Sequence, residues 1–335
     1  MKAIGYCEPG GSDVLREFDV AEPLPGPRDL LVDIRAVAVN AVDVKLRSKA
    51  RPKGQPRILG FDGAGIVTAV GSEVTLFAPG DRVFHAGTIG RPGTNARLHL
   101  VDERIAGKMP ASLSFEEAAA LPLTAITAWE LLFDQMGATR GAPARAGSIL
   151  IINGAGGVGS MLVQLAARLT HLHVIATASR PETAAWVRSL GANTVIDHKD
   201  DLGAQLDRAG ISQVSHIAAL TGTDRHWPTI ARIIAPRGRI DIIDDPVSLD
   251  IVPLRAKAAS VTWEAMFVRS QFATSDMIEQ HRLLCAVADL VDAGRIRTTM
   301  HDHFGPLTPA NLARAHDHVA SGRAVGKAVL GPMPG

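Results

Sequence analysis

The 335-residue sequence has only two cysteines and one tyrosine, and aromatic residues make up 4% of it. Two thiols, Cys7 and Cys285, are too few for a four-cysteine zinc lobe and favour a cytoplasmic protein with reduced thiols. The 35 Lys and Arg nearly balance the 34 Asp and Glu, so no nucleic-acid-binding face is indicated. The apolar runs are shorter than the roughly eighteen residues of a membrane span, and the N-terminus lacks the apolar core of a signal peptide.

Glycine and proline are plentiful in the first 120 residues, where they separate short β-branched segments. The segment 30–40 is the clearest of these and predicts a strand. Glycines at this density suit a small barrel whose strands bend sharply. A long amphipathic helix is predicted over 275–293, and a helix opened by Thr308 and Pro309 over 306–320.

Strands and helices alternate through the middle of the chain, which predicts a doubly wound parallel sheet of the α/β class. The predicted strands are 149–152, 174–178, 194–196, 214–219, 239–243 and a sixth at 261–266. The predicted helices between them are 160–170, 181–190, 201–208 and 225–234, after a loop at 137–147. The C-terminal segment completes the β-rich domain, which gives domains of 1–122 with 268–335, and 123–267.

A glycine-rich turn links the first of these strands to its helix and predicts a dinucleotide site. It reads G-x-G-x-x-G at Gly154, Gly156 and Gly159, between a buried strand and a helical apolar pattern. Gly154 permits the tight turn, Gly156 lets the backbone approach a pyrophosphate, and Gly159 lets helix and strand pack closely. The N–H groups of the helix start then face the phosphates. A glycine-rich turn without a ligand is the alternative.

The residues after the second strand predict which dinucleotide is bound. An NAD site usually has an acidic side chain there for the ribose 2′-hydroxyl. This chain has Ser179 and Arg180, which can hold a 2′-phosphate by hydrogen bonds and charge. The pattern therefore favours NADPH over NADH. The alternative is that Arg180 only solvates the helix start beside Pro181.

Several motifs together resemble the medium-chain dehydrogenase/reductase superfamily. Besides the glycine turn, they are VNAVD at 39–43, LGFDGAGIV at 59–67, GDRV at 80–83 and LPLTAITA at 121–128. The chain looks most similar to the quinone oxidoreductase branch, in the subgroup labelled zinc-type alcohol dehydrogenase-like. The resemblance implies a GroES-like β-barrel domain, a Rossmann domain, an active site in the cleft between them, and a homodimer joined through its sheet edges.

The departures from that family concern zinc. Zinc members have a cysteine where this chain has Asn40, and Gly-His-Glu where it has Gly60, Phe61 and Asp62. Asn40 and Phe61 cannot supply the thiolate and imidazole of a catalytic zinc site, so no metal is expected. Without a Lewis acid, hydride delivery to a conjugated, electron-poor acceptor is favoured over alcohol and ketone interconversion. The expected acceptor is a quinone or an α,β-unsaturated carbonyl compound.

The resemblance also implies residue roles. Asn40 and Asp43 are the catalytic candidates; Asn40 would bond ribose or a substrate carbonyl or only cap a turn, and Asp43 is favoured as a helix cap. Backbone N–H groups in the turn would bind pyrophosphate, His198 would approach the adenosine or only be solvated, and Lys327 would reach the phosphates or likewise be solvated. The implied cofactor-binding residues are Asn40, Thr127, Gly154, Gly156, Gly157, Val158, Gly159, Ser179, Arg180, His198, Leu220, Thr221, Ile243, Met266, Phe267 and Lys327.

Rival interpretations remain open at this level. A glycine turn specifies cofactor binding and not chemistry, so an NADPH-binding sensor with little turnover fits it too. A zinc alcohol dehydrogenase with unusual ligands is a third possibility. A four-histidine metal site at 301, 303, 316 and 318 is disfavoured, because helical residues two apart do not share a face. No protein acid is evident, since the single tyrosine, Tyr6, lies at the N-terminal edge, so a proton would come from solvent.

Overall fold

The computed structural model describes residues 1–141 and 147–335. The chain divides into two compact units. Unit 1 comprises Met1–Ile126 and Phe267–Gly335, and unit 2 comprises Thr127–Met266. Within the described residues, every helix is too short or too polar to traverse a lipid bilayer.

Strands predominate up to Lys108, and strands and helices alternate through the middle of the chain. The strands are β1 (Lys2–Tyr6), β2 (Arg16–Asp19), β3 (Asp29–Val39), β4 (Arg57–Ile58), β5 (Asp62–Val70), β6 (Arg82–His85), β7 (Leu98–Asp102), β8 (Ala106–Lys108), β9 (Ser148–Ile152), β10 (His173–Thr177), β11 (Thr194–Ile196), β12 (Val214–Ala219), β13 (Ile234–Ile242), β14 (Ser260–Trp263), β15 (Met300–Pro306) and β16 (Lys327–Gly331). The helices are α1 (Ala41–Lys49), α2 (Phe115–Ala119), α3 (Pro122–Trp129), α4 (Gly157–Leu169), α5 (Pro181–Leu190), α6 (Leu202–Arg208), α7 (Thr223–Ile233), α8 (Val268–Gln271), α9 (Ile278–Asp292) and α10 (Pro309–Ala320), with a π-helix at Glu130–Gln135.

Unit 1 is built around β3, whose eleven residues are mostly buried. The strand lies in a seven-stranded sheet of order β15-β16-β3-β5-β6-β8, in which β7 also pairs with β3. A Cβ on Gly65 would lie 2.2 Å from the Asp33 carbonyl oxygen, so glycine allows β5 to approach β3 closely. Ala328 of β16 lies opposite Val39 of β3. The C-terminal segment therefore completes this sheet, as expected for the GroES-like domain.

The single tyrosine has a structural contact in unit 1. Tyr6 is fully buried, and its hydroxyl lies 3.0 and 2.9 Å from the carbonyl oxygens of Leu46 and Ala50. These carbonyls lie at the C-terminal end of α1. The carbonyl groups of the last turn of a helix have no N–H partner within the helix. Burial raises the pKa of Tyr6 above its ordinary value. This tyrosine thus satisfies a helix terminus.

Unit 2 is a doubly wound parallel sheet with the strand order β11-β10-β9-β12-β13-β14. All five neighbouring pairs are parallel, because each connection passes through a helix or crossover segment. The chain turns from one half of the sheet to the other between β9 and β12, which is where such sheets bind ligands. The predicted Rossmann domain is confirmed by this topology.

Several predicted boundaries differ from those observed. The helix predicted over 306–320 begins at Pro309, because Pro306 ends the unpredicted strand β15. Polar residues interrupt the alternation of apolar and polar side chains in β15. The strand is stabilised instead by its parallel pairing with β16. After Ser114, α2 ends at Ala119, and α3 begins at Pro122 and continues as the π-helix. The predicted loop 137–147 lies partly outside the described residues.

Three carboxyl groups are buried beside β14 in unit 2. Asp241, Glu264 and Glu130 are 0%, 5% and 6% exposed. Burial raises the pKa of Glu264 to about 10, and the neighbouring Glu130 and Asp241 act in the same direction. Burial likewise raises the pKa of Asp241 to about 7, against the hydrogen bond from Thr262. Glu264 is therefore protonated in the folded protein at neutral pH.

We expect Glu264→Gln to stabilise the protein at alkaline pH. A glutamate in the unfolded chain has a pKa of about 4.3, so between that pH and about pH 10 the folded state binds more protons than the unfolded state. The free energy of unfolding therefore falls as pH rises across this range. A neutral amide needs no proton, so the gain in unfolding free energy over that at acidic pH is at most about 5 kcal/mol at pH 8 and about 1 kcal/mol at pH 5. Thermal unfolding of wild type and variant at several pH values measures this, with Asp207→Asn on exposed α6 as the control. Identical pH slopes in wild type and Glu264→Gln would contradict it.

Candidate functional site

The glycine turn between β9 and α4 is attached to the end of β10. Asn153 N–H donates to Thr177 Oγ1 at 2.8 Å, and Gly154 N–H donates to the Thr177 carbonyl at 3.1 Å. Asn153 has a φ of 67°, in the left-handed region that asparagine tolerates. The turn then enters α4 at Gly157, where the first N–H groups of a helix have no acceptor within the helix. This geometry suits a phosphate ligand.

Crowding explains two of the glycines. A Cβ on Gly154 would lie 2.7 Å from the Ala176 Cβ, so glycine lets the turn pack on β10. A Cβ on Gly159 would lie 2.2 Å from the Asn153 carbonyl oxygen, which is backbone and cannot rotate away. Gly159 therefore allows α4 to begin directly against the turn. A Cβ on Gly156 would meet only the Asn153 side chain.

We expect Gly159→Ala to lower the thermal stability of the protein more than Gly156→Ala does. The new methyl group must displace the backbone of the turn at Asn153, whereas at position 156 a side-chain amide can move. Overpacking of this kind destabilises by about 1–3 kcal/mol. Thermal unfolding of the two variants measures the difference. Equal midpoints would show that the turn accommodates a methyl group at residue 159.

Most predicted cofactor residues of unit 2 follow strands at one edge of its sheet. Because the strands are parallel, their carboxyl ends lie at the same edge. The residues in question are Gly154 after β9, Ser179 and Arg180 after β10, His198 after β11, Leu220 and Thr221 after β12, and Ile243 after β13. The Leu220–Thr221 segment is fixed because Thr223 N–H donates to Asp244 Oδ2 at 3.0 Å. The fold thus gathers residues that lie far apart in sequence.

Positive side chains are concentrated beyond β10 and β11. Burial lowers the pKa of His198, and the charges of Arg225, Lys199 and Arg180 lower it further while Asp197 opposes them. Arg180 caps α5 and its Nε donates to Glu182 Oε1 at 2.7 Å. The Nδ1 atom of His198 is buried and has no hydrogen-bond partner in the described residues. This part of the sheet edge therefore carries several cationic groups.

A buried charged cluster lies in unit 1, where the segments 39–43, 59–67 and 121–128 meet. Lys327 Nζ donates to Asp62 Oδ2 at 2.7 Å, to the Val39 carbonyl at 3.1 Å and to Asn40 Oδ1. Asn40 Nδ2 donates to the same Asp62 oxygen at 2.8 Å, and Leu123 N–H donates to Asp62 Oδ1 at 2.7 Å. The Lys327 and Asp62 side chains are 3% and 0% exposed. We name these residues the Lys327–Asp62–Asn40 cluster.

The cluster shows what Lys327 and Asn40 contact within the protein. Lys327 is predicted to reach cofactor phosphates, and in the structure its ammonium donates to three buried acceptors. Asn40 is predicted to bond ribose or substrate or to cap a turn, and in the structure its amide oxygen accepts from Lys327 and its nitrogen donates to Asp62. Lys327, Asp62 and Asn40 bond to one another, because a buried ammonium group and a buried carboxylate each require partners.

Asp43 has the capping role that the sequence favours for it. Its carboxylate accepts from Asn40 N–H at 2.8 Å and from Gly60 N–H at 3.0 Å, at the start of α1. Burial raises the pKa of Asp43 to about 7, although both N–H groups and Lys327 act to lower it. The side chain holds the helix start to the glycine segment at residue 60.

The remaining predicted site residues are mostly buried. Thr127 is 5%, Met266 5% and Phe267 9% exposed. Phe267 packs on Phe61, with ring centroids 4.8 Å apart and planes tilted by 51°. Phe61 thus contributes an aromatic contact at the place where zinc members of the family supply histidine.

The described residues, 1–141 and 147–335, contain no group of three or more His, Cys, Asp and Glu that could hold a metal ion. Of the four histidines considered as a metal site, His301 Nδ1 and His318 Nε2 each lie 3.1 Å from Asp302 Oδ2, whereas His316 is set apart by burial. His301 and His303 are exposed on β15, and His316 is buried in α10, where burial lowers its pKa to about 3.

Sequence reasoning missed Arg225 and Asp62 as site residues. Arg225 lies at the start of α7, and only the parallel sheet brings its charge to His198. A signal for it existed, because the residues after the fourth strand of such a sheet lie at the ligand-binding edge. Asp62 was recognised only as a replaced zinc-family residue, and its buried contacts could not be read from spacing.

Family models and relatives of known sequence agree with this architecture. The model for the alcohol dehydrogenase GroES-like domain matches residues 26–112, and that for zinc-binding dehydrogenases matches residues 190–330. A zinc-type alcohol dehydrogenase-like protein of Staphylococcus aureus is 39% identical, over 98% of this chain and 99% of its own. A quinone oxidoreductase of Pseudomonas aeruginosa is 33% identical over 99% of each chain. A 2-methylene-furan-3-one reductase of Solanum lycopersicum is 29% identical over 100% of this chain and 80% of its own.

Solved structures share the whole fold. A Rhizobium etli protein assigned to the zinc-dependent alcohol dehydrogenases is 50% identical, covering 100% of this chain and 98% of its own, with a TM-score of 0.96. A mycobacterial protein solved in complex with NADPH is 29% identical, covering 99% of this chain and 100% of its own, with a TM-score of 0.84. The similarity therefore extends over both units.

Proposed function

This chain belongs to the medium-chain dehydrogenase/reductase superfamily, and we propose that it transfers hydride from NADPH to a quinone or an α,β-unsaturated carbonyl compound without a catalytic zinc ion. That it is an oxidoreductase follows from the family. The observation that carries the finer proposal is the Lys327–Asp62–Asn40 cluster. It has an amide, Asn40, where zinc members have a cysteine, and the carboxylate of Asp62, where they have a glutamate, is paired with the Lys327 ammonium.

The choice of NADPH is supported by charge. Ser179 and Arg180 follow β10, and Arg225 and His198 lie in the same electrostatic neighbourhood. A 2′-phosphate carries negative charge that guanidinium groups bind by charge-assisted hydrogen bonds. An NAD site would use an acidic residue after β10, where this chain has Ser179 and Arg180. The mycobacterial relative was solved with NADPH, which agrees with the proposal.

The choice of acceptor is supported by the replaced ligands and by two relatives. Asn40 is committed to Lys327 and Asp62, and Phe61 has no metal-binding atom. A conjugated acceptor delocalises the charge that hydride addition creates, so it depends less on a Lewis acid than a simple ketone does. The Pseudomonas relative is a quinone oxidoreductase, and the Solanum relative is a 2-methylene-furan-3-one reductase.

The protein's own contribution is binding and orientation. Bound NADPH would supply the hydride, and the turn at Gly154, the N–H groups of Gly156, Gly157 and Val158, and Arg180 would hold its phosphates. Thr127, Leu220, Ile243 and Met266 are proposed to border the nicotinamide end. Tyr6 is committed to the end of α1, so we propose that solvent supplies the proton. We also propose that the protein is a cytoplasmic homodimer. Light scattering of the purified protein gives its mass in solution and so tests whether it is a dimer.

Turnover assays test the function. We expect NADPH oxidation with quinones and alkenals, no zinc requirement, and activity that survives incubation with a chelator. Tight NADPH binding with no turnover across a panel of acceptors would favour an NADPH-binding sensor. Stoichiometric zinc, lost together with alcohol oxidation on chelation, would establish a zinc alcohol dehydrogenase instead. Elemental analysis of the protein as purified separates this last result from the first two.

A further inference from the structure

The outer strand β8 of the unit 1 sheet presents backbone groups to α9. Met109 N–H donates to the Arg82 carbonyl, and alternate residues of an antiparallel strand bond to the same neighbour. Ala106 and Lys108 therefore direct their backbone groups away from β6. Because β8 ends the described sheet on this side, those groups need partners from another element.

Helix α9 supplies these partners from two residues one turn apart. His281 Nδ1 lies 2.7 Å from the Ala106 carbonyl oxygen. The sulfur of Cys285 takes a backbone hydrogen bond from Lys108. A Cβ on Gly107 would lie 2.5 Å from the Leu284 Cβ, so glycine in β8 is what lets the helix approach. The strand edge thus holds both side chains on one face of α9.

The two side chains also contact each other. Cys285 Sγ lies 3.7 Å from His281 Nε2 and 3.9 Å from Nδ1. A carbonyl only accepts hydrogen bonds, so Nδ1 carries the proton in the neutral ring and Nε2 is left as the base. Cysteine paired with a base held by a third group is the arrangement of an activated nucleophile.

The charges around the sulfur favour the thiolate. Burial raises the pKa of Cys285, but the His281 hydrogen bond, the Lys108 backbone bond and the charges of both residues outweigh it, so the pKa lies below its ordinary value. The bond to Cys285 raises the pKa of His281 despite its burial and the charge of Lys108. His281 and Lys108 are the titratable groups that face the thiol from α9 and β8. Cys285 is half-buried, and we expect a small reagent to reach it.

We propose that Cys285 and His281 form a nucleophilic pair that adds to α,β-unsaturated carbonyl compounds, giving a thioether at Cys285. His281 takes the thiol proton, the sulfur forms a bond to the β-carbon, and the π electrons of the C=C bond move to the carbonyl oxygen. The enolate then takes a proton at the α-carbon from the imidazolium, so no oxidant or reductant is consumed. The choice of electrophile rests on the proposed function, whereas the reactivity of the thiol does not.

The test compares the two cysteines of the full chain by peptide mass spectrometry. The protein, free of NADPH, is treated with N-ethylmaleimide and separately with acrolein at pH 6 and pH 8.5. Cys7 is exposed and serves as the internal reference. An ordinary thiol is about 0.3% ionised at pH 6, so we expect Cys285 to react at least about tenfold faster than Cys7 there, with a smaller ratio at pH 8.5.

Variants separate activation from a purely structural role. His281→Gln keeps a donor for Ala106 but has no base, and we expect the Cys285 rate at pH 6 to fall about tenfold while NADPH binding is retained. If Cys285 in the folded wild type reacts no faster than Cys7 at pH 6, or if His281→Gln reacts like wild type, the proposal is wrong. Because no NADPH is present, failure of the proposed reductase activity would leave this result unaffected.

Discussion

Replacing Lys327 by methionine is expected to lower the unfolding midpoint of unit 1 by about 6–20 °C. The substitution removes the ammonium from a 0%-exposed carboxylate, Asp62, and from the amide oxygen of Asn40. Leaving one partner of a buried ion pair uncompensated destabilises a protein by about 3–5 kcal/mol, and a domain of this size loses about 2–4 °C per kcal/mol. Calorimetry of the purified protein, scanned with and without NADPH, measures the change.

Two further variants identify the cause. Adding Asp62→Asn to Lys327→Met removes the buried negative charge, and we expect it to restore part of the midpoint, since the pair is coupled in one network. Lys49→Met, on the exposed end of α1, removes a lysine charge outside the cluster and is expected to change the midpoint by little. If Lys327→Met and Lys49→Met melt alike, Lys327 is not a partner of a buried charge.

Replacing Arg180 by alanine is expected to weaken NADPH binding by about 10- to 100-fold and NADH binding by less than about threefold. A hydrogen bond to a charged group is worth about 1.5–3 kcal/mol, and each 1.4 kcal/mol is about tenfold in affinity. NADH lacks the 2′-phosphate and loses only the local effect on α5. Fluorescence titration with both dinucleotides gives the two dissociation constants. Parallel losses for the two would remove the 2′-phosphate assignment.

The ion pair between Arg180 and Glu182 allows a second test in which NADPH binding is expected to strengthen. Glu182 Oε1 accepts from Arg180 Nε at 2.7 Å and places a carboxylate beside the proposed phosphate. We expect Glu182→Gln to strengthen NADPH binding about two- to fivefold, because it removes both competition and repulsion, within the usual size of exposed ion pairs. Arg188→Ala, at the exposed end of α5, is the matched control and should leave both affinities unchanged.

The fold was predictable where local pattern and global topology agree. Apolar runs bounded by glycine and polar turns placed β11 and β12 at their observed bounds and α5 over Pro181–Leu190. The glycine turn was readable because its close contacts, such as the approach of position 159 to Asn153, admit only glycine. β15 was missed because its polar residues are held by pairing with β16 and not by an amphipathic pattern.

The buried cluster was not predictable by the same means. Lys327 and Asp62 are 265 residues apart, and a lysine near the C-terminus reads as a solvated surface residue until its burial is known. The same holds for Cys285, whose partner His281 is close in sequence but whose activation depends on the edge of β8. Long-range contacts of this type produce no periodic pattern in the sequence.

The sequence by itself determined the order of strands and helices in unit 2, the place of the dinucleotide turn and the absence of zinc-ligand residue types at positions 40 and 61, because each depends on residue identity and local spacing. Only the tertiary structure decided that Lys327 and Asn40 bond to Asp62 and that Arg225 acts on His198. Burial and proximity set the energy of a charged group, and both are properties of the folded chain.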